Sequence, residues 1–554
     1  MKSLQRIKFF LLFFTCTVIF STVQAQNMEK EIDAIISSMY TADEPGISIL
    51  VAKDGKTLYR KAFGKASLEL DVALKPENVF EIASITKQFT AVAILMLQEQ
   101  GKLKVEDEIT KYIPDYPTNG KKITVHHLLN HTSGIKSYTG MDSFMKSART
   151  DMTPKVLIDV FKDEPMDFDP GEEFKYNNSG YILLGYIIEV ITKDTYENFI
   201  EKNIFEKIDM NSSYYGSMSE LIKNRALGYK QQGDIYLNAD YLSLTLPYAA
   251  GSLMSTVDDL LKWQNAISAN TLIKKASLEK AINGSTLNNG EEINYGYGWS
   301  KTDIQGSKGY AHSGGIFGYT TNGIFLKKEN VYVIGLTNCN CKNVRDITMK
   351  VAAAVIGKPI PDKKDAIALS IDKVKQWVGA YQFEEEVIRH IILKDSKLFS
   401  LKEGENLREF EIFPMKDGSF IFDDGTISYT FSLTDDGKRQ TVFKTAKESF
   451  IGKGIDKAPP AERKSITVAP DILKQYVGKY ELQPNFIIDI TVEGNSIYVV
   501  TTGQPKFEIF AESETLFFLK AVPAEITFNK NNKGTIDSLT LNQGGRQMPA
   551  KRIE

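Results

Sequence analysis

The stretch SITKQFTAVAILMLQEQG, residues 84–101, puts Ser84 and Lys87 at the head of a run carrying Phe89, Val92, Ile94, Leu95 and Leu97. The pattern predicts a helix over 84–100 closed by Gly101. It is apolar nearly all round, so the helix belongs inside a core rather than on a surface. Three residues apart on the first turn, Ser84 and Lys87 share a face. A serine hydroxyl is a weak nucleophile until a neighbouring base takes its proton. Burial disfavours a charged lysine and lowers its pKa from about 10.4, which makes Lys87 a candidate base. The helix N-terminus adds backbone N–H groups and positive potential where an oxyanion would form. Alone, this spacing also fits a helix cap followed by a surface lysine, so the reading needs other residues.

Two further stretches supply them. Pro170-Gly171 leads into Tyr176-Asn177-Asn178-Ser179-Gly180-Tyr181, ahead of a predicted helix from Tyr181 to Ile191. Tyr176 and Asn178 can both face a cleft, one as a phenol for proton relay, the other as a carboxamide for a substrate carbonyl. His312-Ser313-Gly314-Gly315 follows Lys308-Gly309-Tyr310-Ala311 and precedes a predicted hairpin, Thr320 to Leu326 and Val331 to Leu336. A glycine-flanked strand lets a substrate backbone approach, and a free N–H at Gly315 could complete an oxyanion hole. Read singly, these are a polar turn and a glycine turn with a solvated histidine.

In this order, Ser84-x-x-Lys87, Tyr176-x-Asn178 and His312-x-Gly314 resemble the motifs of serine hydrolases of the β-lactamase and penicillin-binding-protein superfamily. The nearest group is that of class C β-lactamases, related esterases and D-aminopeptidases. His127-Leu128-Leu129-Asn130-His131-Thr132-Ser133-Gly134 and Ala250-Gly251-Ser252-Leu253-Met254-Ser255-Thr256 are similar to stretches of the same group, and the resemblance covers about residues 30–355. It implies that Ser84 is acylated, that Lys87 and Tyr176 move its proton, and that Asn178, His312, Gly314 and Gly315 bind substrate. The N–H groups of Ser84 and Gly315 would hold the oxyanion, and water would release the acyl group. No cofactor or metal is implied, and the split of base duty between Lys87 and Tyr176 stays open. One position departs from the pattern: class C β-lactamases carry a lysine where this chain has His312. A histidine, near-neutral at pH 7, holds a substrate carboxylate less well. The expectation therefore moves from β-lactams toward D-amino-acid peptides, amides or esters. The alternatives are a β-lactamase, or a non-catalytic penicillin-recognising or cell-wall-binding protein on the same fold.

The block 26–360 mixes helices with hairpins. Ile47 to Lys53 and Thr57 to Phe63 flank Asp54-Gly55, a tight turn, and Thr124 can cap a helix holding Leu128 and Leu129. A helical middle between antiparallel strand pairs gives an α+β domain. The C-terminal third repeats itself. Trp377-Val378-Gly379-Ala380-Tyr381 matches Tyr476-Val477-Gly478-Lys479-Tyr480, and Phe410-Glu411-Ile412-Phe413 matches Phe507-Glu508-Ile509-Phe510. Short alternating runs broken by Lys416-Asp417-Gly418, Asp423-Asp424-Gly425 and Asp435-Asp436-Gly437 predict β-structure. Two small antiparallel β domains, barrels or sandwiches, follow from this over 371–452 and 471–554, and the resemblance to the D-aminopeptidase architecture, a catalytic domain followed by two small β-barrels, implies β-barrel domains. By resemblance to the D-aminopeptidase architecture, they are expected to limit substrate size.

The composition excludes other classes. With 42% hydrophobic and 25% charged residues the chain is globular. A net charge of −3 gives no basic excess for nucleic acid. Three cysteines and five histidines cannot build a disulfide scaffold or a multi-metal site. His127 and His131 stand four apart, but without the glutamate of a zinc helix, and are expected to make local hydrogen bonds. Residues 1–25 have a basic head (Lys2, Arg6, Lys8), an apolar core and small residues before Gln26, the layout of a secretory signal peptide. This implies a periplasmic or secreted chain with no stable membrane insertion after cleavage, acting on a small-molecule or peptide substrate. Cys339 and Cys341, separated by one residue, are expected as two free thiols.

Overall fold

The structure, a computed structural model, describes residues 26–554 except 142, 385–386, 405–408, 446–447, 461–463, 484–485, 503, 521, 523, 532 and 544–545. The expected signal peptide lies outside the described residues. The described residues form two compact units that divide between Ile360 and Pro361.

The first unit is built on a six-stranded antiparallel sheet. Its strands are β1 (Ile47–Lys53), β2 (Lys56–Phe63), β3 (Ser300–Ile304), β4 (Ser307–Ile316), β5 (Tyr319–Leu326) and β6 (Val331–Thr337), in the order β3-β4-β5-β6-β1-β2. Both predicted hairpins are present, so the two ends of the domain meet where β1 pairs with β6, Ile49 opposite Gly335 and Val51 opposite Val333. Alternation along these strands sorts their side chains into two cores. Ile47, Ile49 and Val51 join Val331, Val333 and the helix Val344–Val355 on one face. Leu50, Ala52, Ile334 and Leu336 join the large helical core on the other. This double burial explains why β1 and β6 read as continuous apolar runs.

The Ser84 stretch begins with one 3-10 turn, Ala83–Ile85, and continues as α1 (Thr86–Glu99). Every residue from Thr86 to Leu97 is buried, as the all-round apolar pattern requires. Gln100 ends the helix and Gly101 turns the chain at φ 71°. The next expected helix starts earlier than Tyr181. It is α2, Asn178–Thr192, because the Asn177 side chain accepts from the Gly180 N–H and caps it. Thr124 caps Val125–Leu129 through the His127 N–H, and His127 Nδ1 accepts from the Thr124 N–H.

The second unit holds two closed eight-stranded antiparallel barrels. The first runs from Gly379–Gln382 to Ser449–Ile455 and the second from Gly478–Gln483 to Arg546–Arg552. Each closes by pairing its first and last strands, Ala380 with Ile455 and Tyr480 with Arg552. The run Ile391 to Leu401 is a hairpin turning at Asp395-Ser396, with strands Ile388–Lys394 and Lys397–Lys402. The repeated motif has a shared job. Trp377 stacks on Phe431 at 5.5 Å and Tyr476 on Phe528 at 4.2 Å. The hydroxyls of Tyr381 and Tyr480 donate back to the carbonyls of Trp377 and Tyr476, both at 2.8 Å. Gly379 and Gly478 sit at φ 144° and 147°, a backbone that a side chain would strain.

One expectation is corrected. Cys339 and Cys341 form a disulfide. The turn after β6 brings their Cα atoms to 5.2 Å, inside the range a disulfide spans. The short separation in sequence does not prevent the bridge, because this turn folds the chain back on itself.

Candidate active site

Ser84 sits half-buried on the 3-10 turn ahead of α1. The residue before it, Ala83, holds φ 49°, a left-handed conformation uncommon outside glycine. That turn is tied from two sides. The Ile82 N–H donates to Leu253 O at 2.9 Å, and Thr321 Oγ1 on β5 donates to Ile82 O at 3.0 Å. Gly314 on β4 packs against the same turn. A side chain there would collide with Ile82 O, Thr321 Oγ1 and Ala83, so glycine is required for close approach.

Lys87 is fully buried. Its Nζ lies 3.2 Å from Ser84 Oγ, 2.8 Å from Asn178 Oδ1 and 2.8 Å from the Ala250 carbonyl oxygen. Two aromatic rings cover it, Tyr176 at 4.9 Å and Tyr181 at 5.4 Å. Burial holds its pKa well below the ordinary lysine value. Asn178 is fixed in turn by donating to Thr139 Oγ1 at 3.0 Å.

Tyr176 is 39% exposed as a residue, yet its phenol is screened enough from water to be pushed above the ordinary value. Its hydrogen bond with Ser84 opposes that shift. His131 stacks beside Tyr176 at 4.3 Å, and its Nδ1 accepts from the Asn177 N–H at 3.1 Å. Its backbone oxygen accepts from the Lys175 N–H, so this one residue holds the segment that carries Tyr176 and Asn178.

His312 is buried on β4. Burial first, and the charge of Lys87 second, pull its pKa down to about 3, against a backbone hydrogen bond to Ser313. Gly315 is exposed, with nothing within 4 Å of where its side chain would begin. β3 pairs with β4 only as far as Ala311, so among the described residues no strand lies beside His312–Ile316 on that side.

The fold thus brings Lys87 into hydrogen-bonded contact with Ser84 and Asn178 and sets the Tyr176 ring against Lys87. His312 enters the same cluster through its ring contact with Tyr176 at 6.3 Å, and Gly314 through Ile82 and Ala83. Three participants have no motif to announce them. The Ala250 carbonyl is backbone and carries no sequence signal beyond the stretch Ala250–Thr256. His131 is legible in the family-like stretch His127–Gly134 and as a histidine at metal-like spacing, but not as the residue that holds the Tyr176–Asn178 segment. Tyr295, which bonds His312 Nε2 at 2.8 Å, is one tyrosine in a glycine-punctuated run. Among the described residues, no group of three or more His, Cys, Asp or Glu side chains is placed to hold a metal ion.

The Beta-lactamase family profile matches residues 27–358. The chain belongs to this family. It is a serine hydrolase of the β-lactamase and penicillin-binding-protein-like superfamily, with the catalytic domain followed by two barrels. Residues 462–551, in the second barrel segment, match a domain of unknown function, DUF3471. Over 545 residues, 96% of this chain and all of the relative, it is 27% identical to "Penicillin-binding protein 4*" of Bacillus subtilis. A solved octameric penicillin-binding protein homologue from Pyrococcus abyssi is 27% identical with a TM-score of 0.54, covering 77% of this chain and 99% of that one. A D-stereospecific amidohydrolase from Streptomyces shares the fold with a TM-score of 0.52 at 23% identity, covering 59% of this chain and 99% of that one.

Proposed function

We propose that the chain hydrolyses amide or ester bonds by transient acylation of Ser84, with D-amino-acid peptides, amides or esters as substrates. The observation that carries this is the set of three oxygens around Lys87 Nζ. A neutral lysine has two N–H bonds and one lone pair. The Asn178 Oδ1 and Ala250 carbonyl oxygens only accept, so they consume both N–H bonds. The lone pair is left facing the Ser84 hydroxyl at 3.2 Å. Burial supports the neutral form at neutral pH.

In this reading the Ser84 O–H proton passes to Lys87 as Oγ attacks the substrate carbonyl. The oxyanion forms between the N–H of Ser84 and that of Gly315. Lys87 returns the proton, through Tyr176, to the departing amine or alcohol. Water then adds to the acyl-enzyme, gives a proton back along the same route and restores Ser84. The relative whose printed name describes a D-stereospecific amidohydrolase is consistent with D-configured substrates. With its leader removed, the chain would act in the periplasm or outside the cell.

Two measurements test this. A fluorophosphonate should label wild type and leave Ser84→Ala unlabelled; labelling at another residue overturns the site. A panel of D-aminoacyl amides, short-chain esters and nitrocefin then ranks substrates. Turnover of nitrocefin above the D-aminoacyl amides overturns the substrate class, and stable acylation without turnover favours a penicillin-recognising sensor.

A further inference from the structure

Tyr295 lies outside all three motifs and is 4% exposed. Its hydroxyl is 2.8 Å from His312 Nε2, and His312 Nδ1 is 2.6 Å from the Ser313 carbonyl oxygen. A carbonyl only accepts, so Nδ1 carries the ring proton. The bare Nε2 then accepts from the Tyr295 hydroxyl. Both nitrogens of His312 are thereby spent inside the protein.

The phenol is held in place by the rings of His131 at 4.6 Å, Phe174 at 5.9 Å and Tyr176 at 6.0 Å. The titratable groups packed around His312 are Lys87 on α1, His131 on the turn after Val125–Leu129, Tyr176 just ahead of α2, and Tyr295 itself. That set offers an imidazolium no negative partner. His131 is neutral as well, since its Nδ1 must accept from the Asn177 N–H.

We propose that Tyr295 is a specificity-determining positioning residue: by occupying Nε2 of a neutral His312, it denies a substrate carboxylate a partner on β4 and commits the site to acyl donors that present an uncharged carboxamide or ester there. The proposal rests on the reading of the site as an acyl-transfer hydrolase and adds which group sets the charge preference.

The test uses two N-acyl-D-alanyl-D-alanine substrates that differ only in a C-terminal carboxylate or carboxamide. Wild type should favour the carboxamide by about tenfold or more in kcat/KM, the scale of one charge-assisted hydrogen bond. The ratio should stay flat from pH 4.5 to 8. Tyr295→Phe keeps the ring and removes the hydroxyl, so His312 takes a proton more readily. The ratio should then fall at pH 4.5 and hold at pH 8. His312→Lys should lower it at both. A wild type that prefers the carboxylate, or a ratio that neither substitution moves, overturns the proposal. If neither peptide is cleaved, the ratio is read from their protection of Ser84 against the fluorophosphonate. If Ser84 never labels, the hydrolase reading fails separately, and the 15N shifts of His312 still decide the Tyr295 contact. They should show the proton on Nδ1, and a titration that rises by about one unit in Tyr295→Phe, the worth of one hydrogen bond. An unmoved titration, or the proton on Nε2, overturns it. A far-UV circular dichroism spectrum and a thermal melt matching wild type show that each variant is folded.

Discussion

Lys87 in the catalytic unit and Arg439 and Arg552 in the barrels are all cationic side chains set against tyrosine rings. Lys87 lies 4.9 Å from the ring of Tyr176, Arg439 5.9 Å from Tyr381 and Arg552 5.8 Å from Tyr480. Their fates differ. Lys87 is sealed from water and driven toward its neutral form, where its lone pair becomes chemically useful. The arginines cannot lose their charge and act as clamps. Arg439 donates to the Val378 carbonyl and Arg552 to the Val477 carbonyl, the same place in each repeat. Arg439 belongs to the seventh strand of its barrel and Arg552 to the eighth strand of the other. The two barrels thus keep the clamp but not the residue position that supplies it. A cation sealed from water gains reactivity in one unit, and a part-exposed cation that keeps its charge ties down a turn in the other.

The contrast can be broken most forcefully at Lys87. Lys87→Met should lower kcat/KM by about a thousandfold or more while the chain still folds, in line with loss of a base that acts as a unit with its nucleophile. Steady-state kinetics beside a thermal melt checks both halves, and a folded Lys87→Met enzyme with near-normal turnover removes the lysine from the mechanism. Next come the barrel plugs. Trp377→Ala and Tyr476→Ala should each destabilise their own barrel by about 3–5 kcal/mol, the usual toll for deleting a packed aromatic. Hydrogen exchange resolved by repeat would show whether the loss stays local.

Acid should then distinguish the units. His131 and His312 are buried and held below the ordinary histidine value. Folded, they stay neutral; unfolded, they take up protons below about pH 6.5, so unfolding binds protons and stability falls as pH drops from there toward about 3. His312 should cost about 1.4 kcal/mol per pH unit over that window, and His131 adds to the loss in the same direction. Denaturant titrations at pH 7 and pH 5 should show the loss in wild type and a shallower one in His312→Gln; equal slopes would refute the buried-neutral assignment. The smallest effect is expected at the clamps. Arg439→Met and Arg552→Met should each cost about 1–3 kcal/mol, the value of a charge-assisted hydrogen bond. Equal losses would show the two arginines to be equivalent despite their different strands.

Much of this was legible in residue order. The three motifs, the hairpins at the ends of the catalytic domain and the duplicated barrels are all carried by spacing and periodicity. What escaped was of another kind. The Ala250 carbonyl is a backbone atom, and any residue supplies one. Tyr295 gains its role only because the chain returns beside β4. The arginine clamps were invisible to the repeat comparison because they do not align. The 3-10 turn at Ala83–Ile85 was merged with its helix, since apolar periodicity does not register a single tighter turn. The disulfide was missed because sequence separation says little about a turn that folds the chain back on itself.

Ala83 and Gly314 touch across the nucleophile turn, one in a left-handed backbone and the other without room for a side chain. In evolutionary terms they are one locus written in two places, more than two hundred residues apart. Gly314 cannot enlarge unless the Ile82 carbonyl and Thr321 give way along with Ala83, so a lineage that changes substrate should alter the surrounding loops first and this contact last. An engineer widening the site would do well to leave it untouched.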